Sequence, residues 1–146
     1  MKKTVKLLGI SMIATLIISS CQKDGCTDPD GTNFSSEATS NDGSCKFEGR
    51  TVLWFGENTA NALINDGASN LTFYLDGNII GSSATTVFWT GAPECGQTGS
   101  ITATKDLGDL KNKSFSYSVV DDTGYEYWSG SLSIEANTCK SIELTW

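Results

Sequence analysis

Short runs of alternating apolar and polar residues dominate the chain from residue 50 to residue 146. In NLTFYL, for example, Leu71, Phe73 and Leu75 fall on one face of an extended strand. Because side chains alternate between the two faces of a strand, a period of two predicts β-strands with one buried face. Segments that alternate in this way, or that are rich in β-branched and aromatic residues, are 51–55, 70–75, 85–90, 100–106, 114–121, 125–136 and 140–146.

Turn-forming residues separate these segments. Asp76-Gly77 lies between 70–75 and the short apolar stretch 78–80, which is a strong signal for a two-residue hairpin turn. No segment sustains an apolar period of 3.6 residues, so no helix is expected. The pattern predicts an all-β domain over residues 50–146, an antiparallel immunoglobulin-like β-sandwich of seven or eight strands, with a small barrel as the alternative.

The first twenty residues have a different pattern. Lys2, Lys3 and Lys6 precede an apolar stretch at 7–18, and small residues follow. A helix needs about 20 apolar residues to span a bilayer, so this stretch is too short for a membrane-spanning helix. The layout predicts that residues 1–20 are a secretory signal peptide.

The sequence Ile18-Ser19-Ser20-Cys21 resembles the lipobox of bacterial lipoproteins. The resemblance implies that Cys21 becomes the mature N-terminus, carries acyl chains such as palmitate, and begins a tether over residues 21–24. In that family an Asp after the lipidated cysteine often retains the protein at the inner membrane. Gln22 therefore implies the outer membrane, with exposure at the cell surface as a further expectation. The alternative is an ordinary signal peptide, with Cys21 as a disulfide partner.

Cysteine content fits an exported protein. If Cys21 carries lipid, four cysteines are left for disulfides in an oxidising compartment: Cys26, Cys45, Cys95 and Cys139. Three pairings are conceivable, and proximity in sequence favours Cys26–Cys45 and Cys95–Cys139. The alternatives are four reduced cysteines or a tetrathiolate zinc site, although no Cys-x-x-Cys pair is present.

Residues 25–47, hereafter the mini-module, read GCTDPDGTNFSSEATSNDGSCKF. This segment has too few aliphatic residues for a core of its own, so a disulfide-closed loop is predicted. It resembles the GCTDP…DDGSC module of secreted and surface proteins of Bacteroidota, where the module is an accessory. The matching residues are Gly25, Cys26, Thr27, Asp28, Pro29, Asn33, Ala38, Asp42, Gly43, Ser44 and Cys45.

Oxygen-bearing side chains in the mini-module raise the hypothesis of a structural calcium ion. Asp28, Asp30, Asn41 and Asp42 are the candidate ligands, because calcium prefers carboxylate and carbonyl oxygens. The alternative is that these residues only form turns, which Asp-Pro, Asp-Gly and Asn-Asp-Gly sequences favour.

Composition excludes several classes of function. A net charge of −7 argues against nucleic acid as a partner, and the absence of His excludes Ser-His-Asp triads and His-ligated zinc. Removal of residues 1–20 makes the net charge −10, because that segment holds three Lys and no acidic residue. The candidate carboxylates for a hydrolase are interpreted as solvated loop charges, and no enzyme is predicted. They are Glu57, Glu94, Asp121, Asp122, Glu126 and Glu135.

Aromatic residues are the stronger candidates for a binding site. Tyr74, Tyr125 and Tyr127 fall on the polar faces of their strands, where flat rings are able to stack on a sugar. In this interpretation Tyr125 and Tyr127 lie opposite Trp128, and the tryptophans belong to the core. The alternative for the three tyrosines is packing along a sheet.

Together these features predict a lipid-anchored outer-membrane or cell-surface protein that acts as a non-enzymatic binding module, with a glycan or an envelope protein as partner. One alternative is a structural envelope lipoprotein without a ligand. A small hydrolase is the other.

Overall fold

A computed structural model describes residues 22–146, so the predicted signal peptide and Cys21 lie outside the described residues. Within the described range no helix combines the length and apolar character needed to cross a membrane. The elements in chain order are β1 (Asp24–Gly25), β2 (Ser40–Asn41), β3 (Phe47–Trp54), α1 (Glu57–Asp66), β4 (Asn70–Leu75), β5 (Asn78–Ala84), β6 (Ile101–Gly108), β7 (Asn112–Asp121), β8 (Glu126–Glu135) and β9 (Cys139–Glu143).

Two sheets form a sandwich-like arrangement, which confirms the predicted all-β fold. One sheet has the strand order β6-β3-β9 and the other the order β5-β4-β7-β8, so together they hold seven strands. All neighbours within these sheets are antiparallel except β3 and β9, which run parallel. The mini-module adds the short parallel pair β1-β2. The finer expectation of an immunoglobulin-like topology stays a prediction.

Both sheets contribute to a core with two ends. At one end the bridged Cys26 and Cys45 pack with Phe47, Leu107 and Ile134, so the mini-module covers this end of the sandwich. At the other end the core contains Leu53, Leu63, Leu71, Phe73 and Val119. Alternation in the sequence identified these residues correctly on β4, where Leu71, Phe73 and Leu75 are buried.

Helix α1 was not predicted, and it covers the second end of the core. It spans ten residues and buries Thr59, Ala60 and Leu63. This buried face is short and contains only one large apolar residue, so the sequence carries no sustained apolar period. Gly67 ends the helix in the left-handed conformation, φ 97°, and its N–H bonds to the Ile64 carbonyl. Glycine adopts that conformation without steric cost.

The predicted strand at 85–90 is wrong, because the chain turns there and continues without regular structure. The buried Thr85 hydroxyl donates to the carbonyls of Ala68 and Ser69, at 2.9 and 3.2 Å, which fixes the turn. Val87 and Phe88 are exposed beyond it. The hairpin at Asp76-Gly77 is confirmed, since both residues have positive φ, 55° and 74°.

Candidate binding site

A β-bulge at the start of β8 determines where the aromatic side chains point. Val119 pairs with Trp128 and Val120 pairs with Glu126, so Tyr127 is an extra residue in β8. As a result Tyr127 and Trp128 both pack against the same end of the core. The prediction that Tyr127 lies on the face opposite Trp128 is therefore wrong. A bulge interrupts alternation by one residue and re-aims the side chains beside it.

Four aromatic rings meet at this point and are called the aromatic cluster: Tyr125, Tyr127, Trp128 and Trp146. The Tyr127 ring centroid lies 5.0 Å from that of Tyr125, 5.7 Å from that of Trp128 and 5.8 Å from that of Trp146. Tyr125 and Trp146 are 62% and 64% exposed. The rings border a cleft of about 310 Å³. The cluster therefore presents flat apolar surfaces beside a concave space.

The Asp121 side chain orders the turn that carries Tyr125. Its Oδ1 accepts hydrogen bonds from the Thr123 N–H at 2.8 Å, the Thr123 hydroxyl at 2.7 Å and the Tyr125 N–H at 2.9 Å. The hydrogen bond from the Thr123 side chain is the main cause that lowers the pKa of Asp121, and the backbone N–H groups add to it. Asp121 is thus a positioning residue for Tyr125.

Tyr127 is fixed by helix α1. Its hydroxyl donates to Asp66 Oδ2 at 2.8 Å. Burial, and then this hydrogen bond to the carboxylate, raise the pKa of Tyr127 to about 12. Trp128 is fixed in a similar way, because its Nε1 donates to the Thr145 carbonyl at 3.0 Å. The inner rings of the cluster are therefore preorganised.

A larger cleft of about 660 Å³ also borders Trp146 and is lined by residues of α1 and of the end of β3. Trp54 and Trp89 line it, together with Glu57 and Glu143. Trp54 and Glu143 are register partners on the parallel strands β3 and β9, which places them side by side. The Trp54 Nε1 is buried and has no hydrogen-bond partner within the described part of the chain, residues 22–146.

The prediction that the four tryptophans belong to the core is wrong in that none of them is fully buried, although Trp128 packs against the core. Trp54, Trp89 and Trp128 are half-buried and Trp146 is exposed. Trp54 and Trp89 line the larger cleft, Trp128 lines the cleft of the aromatic cluster, and Trp146 lines both. Indole rings at the ends of strands and loops reach past the last layer of the core. The large apolar side chain of tryptophan suggested burial, and the sequence does not distinguish these positions from buried ones.

Tyr74 is separate from the aromatic cluster. It is half-buried on β4 and alternates with the buried Phe73 and Leu75, so it lies on the outer face of its sheet. Its register neighbours are Ile79 and Ser118. The structure therefore brings Tyr125 and Tyr127 together but leaves Tyr74 on the other side of the sheet.

The four candidate calcium ligands form two separate groups. Asp28 and Asp30 both contact the Lys111 ammonium, at 2.7 and 3.0 Å. Asn41 and Asp42 accept hydrogen bonds from the backbone N–H groups of Gly43 and Ser44, as turn residues do. Among residues 22–146 no group of three or more acidic, His or Cys side chains is arranged to hold a metal. This arrangement gives the calcium hypothesis no support.

Disulfides join Cys26 to Cys45 and Cys95 to Cys139, as the sequence favoured. Of the six carboxylates considered for hydrolysis, Glu57 lines the larger cleft and Asp121 is engaged in its turn. The remaining four are exposed: Glu94, Asp122, Glu126 and Glu135.

Comparison with known proteins gives no relative, because no family model, no curated protein and no solved structure matches this chain. Function is therefore inferred from the site itself.

Proposed function

We propose that this protein is a lipid-anchored protein of the outer membrane or cell surface, and that its β-sandwich binds a glycan through the aromatic cluster. The observation that carries the proposal is the meeting of Tyr125, Tyr127, Trp128 and Trp146 around one cleft. Flat rings bury the apolar faces of sugars, while nearby polar groups bond to the hydroxyls. Asp66 and the Thr145 hydroxyl supply such groups at the edge of the cleft.

The position of the cluster supports a surface-displayed binding role. Strand β7 connects the two ends of the molecule: Lys111, just before it, contacts the mini-module, and Asp121, its last residue, holds Tyr125. Ten strand residues at about 3.3 Å each separate these points by about 30 Å. A lipid on Cys21 would attach at the mini-module end, so the aromatic cluster would face away from the membrane.

Glycan binding is tested with the full chain purified in detergent and titrated with a panel of soluble polysaccharides, using Trp fluorescence. We expect saturable binding that weakens about tenfold in Tyr125→Ala, because an exposed stacking ring is lost. Tyr74→Ala is the matched control and should bind as the wild type does. Absence of binding across the panel, or equal losses in both variants, contradicts the proposal and favours a structural role without a ligand.

The lipid anchor is tested separately with Cys21→Ala. Without the cysteine no acyl chains can be attached, so the variant should leave the membrane fraction or accumulate with residues 1–20 uncleaved. A variant that is cleaved to the mature size and still partitions into the membrane as the wild type does contradicts the anchor. This result is independent of glycan binding, which needs only the folded domain.

A further inference from the structure

We propose that the larger cleft receives a positively charged amino group of the bound glycan, so that the ligand contains unacetylated amino sugars. The inference rests on the proposed function, because this cleft shares Trp146 and Thr145 with the cleft of the aromatic cluster. Because Trp146 and Thr145 line both clefts, we expect one saccharide chain to contact both of them.

Charge in the larger cleft selects a cation. Glu57 and Glu143 line it, and no Lys or Arg among residues 22–146 does. The ion pairs formed among the described residues 22–146 involve Glu37, Asp28 and Asp30, and neither of these two glutamates. Two carboxylates without a cation raise the cost of binding an anion and favour an ammonium group.

The aromatic lining favours the same group. Trp54, Trp89 and Trp146 line the same cleft as the two glutamates. An ammonium near the face of an indole ring is attracted by its negative π-surface, and Trp is the best side chain for this interaction. The three tryptophans and the two carboxylates of this lining each attract a cation, against the partial positive charge at the uncapped start of α1.

Hydrogen-bond donors in the cleft distinguish a sugar from a simple amine. Among residues 22–146 no side chain caps the backbone N–H groups at the start of α1, and Gly56, Glu57 and Asn58 of this turn line the cleft. An ammonium group or a lysine side chain carries donors only, so it would leave these N–H groups unpaired. An amino sugar brings hydroxyl and ring oxygens that accept hydrogen bonds, together with the ammonium.

The test uses two oligosaccharides of equal length: an oligomer of glucosamine, which is cationic, and the same oligomer of N-acetylglucosamine, which is neutral. Both are titrated against the full chain in detergent. We expect the cationic oligomer to bind roughly five- to tenfold more tightly, and the difference to shrink as salt is raised. Glu57→Gln and Glu143→Gln should each reduce this preference, because each should weaken binding of the cationic oligomer more than binding of the neutral one.

Glu135→Gln is the matched control, because it makes the same charge change on an exposed glutamate at the far end of β8. Trp54→Phe keeps an aromatic ring but offers a weaker π-surface to a cation, so it should weaken binding of the cationic oligomer more than binding of the neutral one. Equal affinity for the two oligomers, or a preference that Glu135→Gln reduces as much, overturns the inference and leaves the proposed function intact. A linear polyamine of equal charge, which carries N–H donors only, also overturns it if it binds as tightly. If neither oligosaccharide nor any other glycan binds, the proposed function itself fails.

Discussion

The Lys111 ammonium lies 2.7 Å from Asp28 Oδ2 and joins the mini-module to the β-sandwich. It also contacts Asp30, at 3.0 Å, and lies 5.7 Å from the centroid of the Phe47 ring. The hydrogen bond from Lys111 is the largest cause that lowers the pKa of Asp28, and Asp28 in turn raises the pKa of Lys111. The mini-module is therefore docked on the sandwich and its disulfide is part of the core.

Replacement of Lys111 should loosen this docking. In Lys111→Met we expect the melting temperature to fall by a few degrees at low salt and by less at high salt, because these charges are partly exposed and screened. Lys113→Met is the control: Lys113 also lies over an aromatic ring, at 5.5 Å from the centroid of Phe115, but has no carboxylate partner among the described ion pairs. Equal melting temperatures for the two variants would show that the ion pair does not fasten the mini-module.

The two disulfides should contribute unequally to stability. Their sequence separations are 44 residues for Cys95–Cys139 and 19 for Cys26–Cys45. Loop closure in the unfolded chain then gives about 4 and about 3 kcal/mol respectively. We expect Cys95→Ala/Cys139→Ala to lower the free energy of unfolding by about 4 kcal/mol in urea titrations followed by Trp fluorescence. A loss below about 1 kcal/mol would contradict this.

Alternation predicted the strands well because both sheets have one face against the core. On β4 and β7 the apolar residues at every second position are the buried ones, as at Phe73 and Val119. The disulfides were favoured correctly for a similarly local reason, since each joins the nearest available cysteines. A strand that is buried on one face has apolar residues at every second position of its sequence.

Features that depend on packing between distant parts of the chain produce no such alternation in the sequence. The bulge that changes the direction of the Tyr127 side chain arises from the pairing of β8 with β7. The alternation of apolar and polar residues in either strand alone does not reveal this pairing. Helix α1 is stabilised by tertiary contacts of Ala60 and Leu63 and not by a long apolar stripe. Gly67 and the small residues of ENTANALIND are features of the sequence that indicate this helix. The aromatic cluster was not predictable from the sequence, because it depends on the fold bringing Trp146 beside Tyr127.

Asp121 should make the stability of the turn at Tyr125 dependent on pH. Its pKa is lowered in the folded state, so its contribution is complete above the ordinary Asp pKa of about 3.9 and is lost as pH falls below that value. Asp121→Asn keeps an oxygen acceptor and removes the charge. We expect it to be less stable than the wild type at neutral pH, with a difference that shrinks towards about pH 2.

The control for this experiment is Asp122→Asn, at the exposed neighbouring position. Urea unfolding of both variants is measured at neutral and at acid pH. A stability difference for Asp121→Asn that is the same at both pH values would mean that the charge of Asp121 is not what the turn uses.

The ionisation of the Tyr127 hydroxyl at alkaline pH should report whether this ring is buried and bonded to Asp66. Its folded pKa of about 12 exceeds the ordinary value of 10.0, so the neutral hydroxyl that donates to Asp66 is favoured in the folded state. This contribution is complete below about pH 10 and is lost as pH rises towards about 12. The tyrosinate absorbance of the wild type minus that of Tyr127→Phe should titrate with a midpoint near 12.

Asp66→Asn should lower that midpoint, because it removes the negative charge beside the hydroxyl, while Asp76→Asn should not. A midpoint near 10 in the wild type would show that Tyr127 is neither desolvated nor bonded to Asp66, and the cluster would then lack the rigidity that the binding proposal requires.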